Sequence, residues 1–347
     1  MNRIIDLRSD TFSLPDEGMR RAIRDAEVGN SGFREDPSVR KLEEACAAFF
    51  GLEAAVFLPS GTMAGQIALN VRSRPGDLVA IEENGHNLRF EAGSMALVSG
   101  TQALTVRGDR GIMDPGRVRT AVTSARDHGA RVSCIVLENT SNFGGGTIYP
   151  REVLEGMFRL SGELGIPVHV DGARIWNALA ATGEEPGSLI PQGGSVSACL
   201  SKGLGAPMGS ILAGSDGFVE EARRVQQLLG GVMRQVGFMA AAGLYALRNN
   251  LGRLREDHAR CRRIAERLTD CAELEIDLAA VQTNILYLRI RAGEAAAEDL
   301  RIRMAREGIL AFRVGDRIRL VTYLNLDDGD CERAADTIAS LLRERRA

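Results

Sequence analysis

The chain has 347 residues, of which 44% are apolar and 26% charged, and its formal net charge is −3. That length and composition describe a globular protein with one large domain and a smaller one. They exclude a strongly basic nucleic-acid binder, and no run nears the roughly 20 apolar residues of a membrane span.

The first residues, Met1 to Asp6, lack an apolar signal core. Residues 1–14 read as an arm. Asp36-Pro37-Ser38 starts a helix whose apolar positions include Val39, Leu42, Ala45, Cys46 and Phe49. Strands are expected at Ala55–Leu58, Leu78–Ile81, Ala96–Val98, Val132–Leu137, Val168–Val170, Ser195–Leu200 and Ser210–Ala213. They alternate with helical patterns, which predicts an α/β fold with a mostly parallel sheet covered on both faces. A long helical pattern then runs from Met239 through Arg248 towards Leu268. The tail offers strands at Ile285–Ile290 and Ile318–Leu324 and helices at Ala295–Glu307 and Asp330–Arg345. We therefore expect a large domain over 15–240 and a small α/β domain over 241–347. The six cysteines form no CxxC pair and the four histidines lie far apart. This favours reduced thiols in a cytoplasmic enzyme and gives no metal motif.

Four segments carry chemistry. Of 43 basic residues only Lys41 and Lys202 are lysines. Lys41 belongs to a charged helix pattern, whereas Lys202 stands in Ser201-Lys202-Gly203 straight after an apolar run. A lysine can lose its proton and bond an aldehyde, which arginine cannot do; the plain alternative is a turn cap. Asp171 ends the β-branched run Val168–Val170, and open α/β sheets bind ligands beyond such carboxyl ends. Ser60-Gly61-Thr62 joins a strand to a helix, so its backbone N–H groups suit a phosphate, or simply cap the helix. His86 could stack on a flat cofactor, although a lone histidine is more often structural. A lysine for the aldehyde and an acid for the ring nitrogen are what pyridoxal 5'-phosphate requires. The glycine-rich Gly203–Gly209 is GxGxxxG with Pro207 inside it, which argues against a nicotinamide-binding turn.

Together these pieces resemble the low-specificity threonine aldolases, within the fold-type-I pyridoxal phosphate enzymes and the wider β-eliminating lyase group. The matching segments are IDLRSDT at Ile5–Thr11, EDPSVRKLE at Glu35–Glu43, AAVFLPSGT at Ala54–Thr62, HN at His86–Asn87, FEAG at Phe90–Gly93, LENT at Leu137–Thr140, VHVDGARIWNA at Val168–Ala178, CLSKGLGAPMGS at Cys199–Ser210, MRQ at Met233–Gln235 and RLVT at Arg319–Thr322. The resemblance implies cleavage of a β-hydroxy-α-amino acid to glycine and an aldehyde. It implies Lys202, Asp171 and His86 as catalytic, with Gly61, Thr62, Arg174 and Arg234 also holding the cofactor. Ser9, Arg174 and Arg319 would face the substrate, Arg319 through its carboxylate. A homotetramer, a dimer of dimers with shared active sites, is implied as well.

The chain departs from its family where substrate is expected. Ser141 stands where a histidine is usual, Phe33 where a tyrosine is usual, and Tyr323 where histidine is common. Gln226 and Gln227 occupy a region that is often basic. A weak threonine cleaver is therefore expected, with Arg34 or Arg89 as candidate partners for an acidic or polar substrate group. Racemisation, β-elimination, transaldol transfer and non-catalytic cofactor binding stay open at this point.

Overall fold

The protein is described here by a computed structural model covering residues 3–344. Met1 and Asn2 of the expected arm and Arg345 of the last expected helix, with the two residues after it, lie outside the described residues.

In chain order the strands are β1 (Ile5–Asp6), β2 (Ala54–Leu58), β3 (Leu78–Glu82), β4 (Gln102–Val106), β5 (Val132–Glu138), β6 (Val168–Gly172), β7 (Ser195–Cys199), β8 (Ser210–Gly214), β9 (Leu274–Glu275), β10 (Ile285–Ile290), β11 (Ile309–Leu310), β12 (Phe312–Val314) and β13 (Arg317–Val321). Seven of them form one sheet in the order β2-β8-β7-β6-β5-β3-β4. All neighbours are parallel except β8, which runs antiparallel to both β2 and β7. β5 is buried along its whole length, as a central parallel strand covered on both faces must be.

Local chemistry explains the helices that matter for the site. Asp36 caps helix Pro37–Phe50 by accepting from the N–H groups of Ser38 and Val39, and the proline supplies a first residue whose N–H would be unpaired anyway. Ser60 caps helix Gly61–Arg72 by accepting from Met63 N.

Two expectations fail. Ala96–Val98 is not a strand but part of helix Ser94–Ser99, bracketed by the left-handed residues Gly93 and Gly100. The strand follows at β4. Leu97, at the centre of that apolar triplet, is 86% exposed. Three apolar residues cannot define a period, and the flanking glycines decided the conformation. The long pattern after Met239 is two helices, Gly237–Asn249 and Leu254–Leu268. Asn250 leaves the first helix to donate its amide to the Leu204 carbonyl, and Gly252 lies in the turn.

Beyond residue 254 a four-stranded antiparallel sheet, β12-β13-β10-β9, packs on helices Leu254–Leu268, Glu294–Arg306 and Asp328–Glu344. Ile5 and Leu7 join this second core, because β1 pairs in parallel with β11. The N-terminal residues are thereby tied to the C-terminal sheet, and Ser9 and Asp10 are carried into the joint between the two sheets.

Candidate active site

The carboxyl ends of the large sheet converge. Asp171 is the penultimate residue of β6, and Glu138, the last of β5, is its direct neighbour in register. Both are buried. Asp171 Oδ1 accepts only a long bond from Ala173 N, 3.3 Å. Glu138 accepts from His86 N at 3.0 Å and from Asn142 N at 2.9 Å. Burial, then the charge of Asp171, pushes the Glu138 carboxyl up to about 7. Burial also raises Asp171, against the charges of His86 and Lys202. Two adjacent buried carboxyls with so few donors form a place prepared for a cation.

Lys202 lies on the turn joining β7 to β8, where its carbonyl accepts from Gly205 N at 2.8 Å. Among the described residues its amine takes part in no salt bridge, although its charge reaches Asp10, His86 and Asp171. A lysine left unpaired beside buried acids is available for covalent work.

His86 opens the short helix His86–Arg89. Its Nδ1 meets Glu91 Oε1 at 3.1 Å, and Gln66 donates to the other oxygen of that buried carboxylate at 2.6 Å. Burial lowers the imidazole pKa, but the Glu91 bond and the Asp171 charge outweigh it, and the net shift is upward. Gly61 and Thr62 begin the Ser60-capped helix next to β7. A side chain at Gly61 would stand 2.5 Å from Cys199 Sγ, so only glycine lets the helix start approach this closely. That helix start faces solvent and suits an anion.

The opposite wall is made of arginines. Arg174, 5% exposed, grips Asp10 with two 2.7 Å bonds. Burial alone would raise the Asp10 carboxyl, but the Arg174 charge and hydrogen bond hold it down at about 2. Asn142 Oδ1 accepts from Arg319 at 3.2 Å and, at a long 3.5 Å, from Arg174. Arg319 also donates to the Arg8 carbonyl at 3.0 Å, while its Nε is buried without an acceptor among the described residues. Two guanidiniums sharing one amide oxygen, with an orphaned N–H, have the donors that a carboxylate would need. Ser9 is buried and caps the turn Asp10–Phe12, accepting from Thr11 N.

Other expected residues lie elsewhere. Ser141 is buried, and its hydroxyl accepts from Gly144 N at 3.2 Å while packing against Gly111. Phe33 is 73% exposed. It sits beside Arg234, whose carbonyl accepts from Ser31 N, on a strip separate from the contacts above. Arg34 pairs with Glu220 and Arg89 donates to the Glu83 carbonyl, both at exposed positions. Gln226 spends its amide on the carbonyls of Phe57 and Gly231, and Gln227 is exposed. Tyr323 is buried in the small core.

Sequence reasoning missed Asp10, Glu91, Glu138, Asn142 and Asn284, the last of which also donates to Asp10 at 3.1 Å. Three of them stand inside the matched segments IDLRSDT, FEAG and LENT. An acid inside a matched segment was the available signal.

Residues 6–291 match the family described as beta-eliminating lyase. The chain is 37% identical to low-specificity L-threonine aldolase 1 of Arabidopsis thaliana, over 94% of this chain and 93% of that protein. It is 38% identical to the low-specificity L-threonine aldolase of Escherichia coli O157:H7, over 93% of this chain and 95% of that one. In fold it is similar to a Leishmania major threonine aldolase, with a TM-score of 0.84, 16% identity and coverage of 97% and 99%.

Proposed function

The chain belongs to the beta-eliminating lyase family and, within it, to the low-specificity threonine aldolases, and on that premise we propose that it is a pyridoxal phosphate-dependent lyase cleaving the Cα–Cβ bond of β-hydroxy-α-amino acids to glycine and an aldehyde. The observation that carries this reading is the salt-bridge-free Lys202 next to the buried Asp171–Glu138 pair. The donor set fits the cofactor: a free amine, an under-paired carboxylate and an exposed helix start.

Pyridoxal phosphate, when bound, supplies the electron sink for the pair released as the Cα–Cβ bond breaks. Lys202 Nζ would hold it, and Asp171 would keep its ring nitrogen protonated. Gly61 and Thr62 would bind its phosphate through backbone N–H groups, with Arg234 from a neighbouring subunit in support. Arg319, with Asn142 and the Arg8 carbonyl fixing its plane, receives the substrate α-carboxylate, and Arg174 and Ser9 stand beside this wall. His86 offers a flat ring for stacking. Its Nδ1 is engaged by Glu91, and Nε2 takes the β-hydroxyl proton as that oxygen becomes the carbonyl of the departing aldehyde.

An arm over 1–14, a large domain over 15–240 and a small domain over 241–347 remain our proposal; separate apolar cores under the two sheets support a two-domain division, while Ala242, Ala246 and Leu254 still pack in the first core. A homotetramer is supported by the exposed apolar Phe33 and Leu228 flanking the Gly230–Met233 segment. The buried free thiols of Cys46, Cys134, Cys199, Cys261 and Cys331 agree with a reducing cytoplasm.

The test is direct. Protein loaded with cofactor should be yellow, should release glycine and acetaldehyde from threonine, and should carry the borohydride-reduced tag on Lys202. No cofactor uptake, a tag on Lys41, or no glycine from any β-hydroxy-α-amino acid overturns the reading.

A further inference from the structure

A cavity of about 320 Å³ opens between the two sheets, beside the arginine wall. Phe143 and Gly144 line it from the loop that follows Asn142, and Tyr287 and Arg317 line it from β10 and β13. Arg319, Asn142 and Arg174 do not line it, but two of its lining residues adjoin them. Tyr287 stands opposite Arg319 in the β10–β13 register. Phe143 is the chain neighbour of the Asn142 that holds both arginines.

The charges around the cavity are almost all satisfied. Arg110 pairs with Asp277 at 2.7 Å. Arg289 pairs with Asp316 at 2.8 Å and more loosely with Glu275. Glu82 accepts from Asn84 N and Gly108 N. Arg317 is the exception. Among the described residues its side chain has no ion pair and no hydrogen bond. Its guanidinium carbon lies 4.4 Å from the ring centroid of Phe143 and 4.4 Å from that of Tyr287. A guanidinium between two ring faces is fixed in orientation while its edge N–H groups remain open to an acceptor in their plane. A mere clamp between the sheets would not need that edge unpaired in a chain whose arginines are otherwise so widely bridged.

Spacing identifies the acceptor. Arg317 and Arg319 are two residues apart on one strand, so they emerge on the same face about 7 Å apart. We propose that this cavity is a side-chain subsite for β-hydroxy-α-amino acids that carry a second, distal carboxylate, with Arg317 binding that carboxylate. The inference rests on the reading of Arg319 as holder of the α-carboxylate. It replaces Arg34 and Arg89, which sit on exposed surface, as the partner of an acidic substrate.

Two measurements on the cofactor-loaded enzyme test it. The first compares kcat/KM for glycine release from threonine, 3-hydroxyaspartate, 3-hydroxyglutamate and 2-amino-3-hydroxyadipate. At least one diacid should exceed threonine, and Arg317→Ala should lower the diacid-to-threonine ratio by about 10- to 100-fold, the scale of a hydrogen-bonded charge pair. Arg317→Lys should fall in between. The second is calorimetric binding of glutarate and butyrate. Glutarate should bind more tightly than butyrate, and Arg317→Ala should remove that difference. If threonine is cleaved but no diacid is preferred and glutarate binds like butyrate, the subsite is overturned and the aldolase reading stands. If nothing releases glycine while glutarate binding depends on Arg317, the reaction is overturned and the subsite stands.

Discussion

The two walls of the cleft are opposite in charge and opposite in construction. On the strand-end wall, Glu91, Glu138 and Asp171 are buried around one lysine and one imidazole. On the facing wall, Arg174, Arg319 and Arg317 are answered by a single carboxylate, Asp10. Each wall is electrostatically incomplete within the chain. A ligand presenting a protonated ring nitrogen to one wall and a carboxylate to the other would complete both, and the unbalanced charges lower the cost of desolvating just such a ligand.

The sharpest break of the first wall is Lys202→Ala, which should abolish turnover, by at least about 10³-fold, and abolish the borohydride tag. Asp171→Asn should keep some bound cofactor, seen as absorbance, while turnover drops by about 10²–10⁴-fold. Retained turnover in either variant would mean that this wall does not hold the cofactor.

The corresponding break of the second wall acts on folding. Asp10→Ala leaves Arg174 buried without its partner, which should cost about 3–5 kcal/mol in a urea melt. The exposed Arg24–Asp25 pair is the control, and Asp25→Ala should leave the melt nearly unchanged. Equal effects would show that burial of the Arg174–Asp10 pair counts for little.

The two walls also differ in how much of them could be read from the residues alone. Lys202, Asp171 and the Ser60-Gly61-Thr62 start each belong to one continuous segment, in which strand, turn and functional group follow one another. Such segments announce themselves. The arginine wall draws Asp10, Asn142, Arg174, Asn284 and Arg319 from five places, and no local pattern encodes their meeting. The same reason hid Arg317, whose significance lies in rings from β10 and from the loop after β5. The sheet was legible from its apolar runs, whereas Ala96–Val98 was misread because so short a run carries no period.

Opposite charge environments predict opposite pH slopes in the cofactor-free protein. Asp10 is depressed to about 2 from 3.8, so its stabilisation is present above pH 3.8 and lost as pH falls towards 2, by about 2 kcal/mol. Glu138 is raised to about 7 from 4.5, so the folded state holds its proton longer than the unfolded chain does. Stability therefore falls as pH rises from 4.5 to 7, by up to about 3 kcal/mol. Burial also raises Asp257 to about 7 and lowers His169 to about 3 and His258 to about 4, so these groups add slopes of both signs in the same window. The Glu138 contribution is therefore read as a difference: in thermal melts the wild type should lose stability relative to Glu138→Gln as pH rises from 4.5 to 7, with the two curves parallel on the acid limb. Curves that stay parallel through that window would assign the slope to another group.

The smallest effect separates structure from chemistry at Ser141. Its hydroxyl is occupied by Gly144 N and pressed against Gly111, so it is poorly placed to move a proton, and a serine is a poor base near neutrality in any case. Ser141→Ala should cost about 1 kcal/mol of stability through the lost acceptor and change kcat on threonine by less than about threefold. A larger fall in kcat at unchanged stability would make the hydroxyl catalytic. Ser141→His probes the complementary point. If the missing imidazole limits threonine cleavage, the variant gains rate on threonine at the expense of the diacids. If the rate stays flat, Nε2 of His86 already carries the proton, and the serine records only how this loop turns towards the Arg317 cavity.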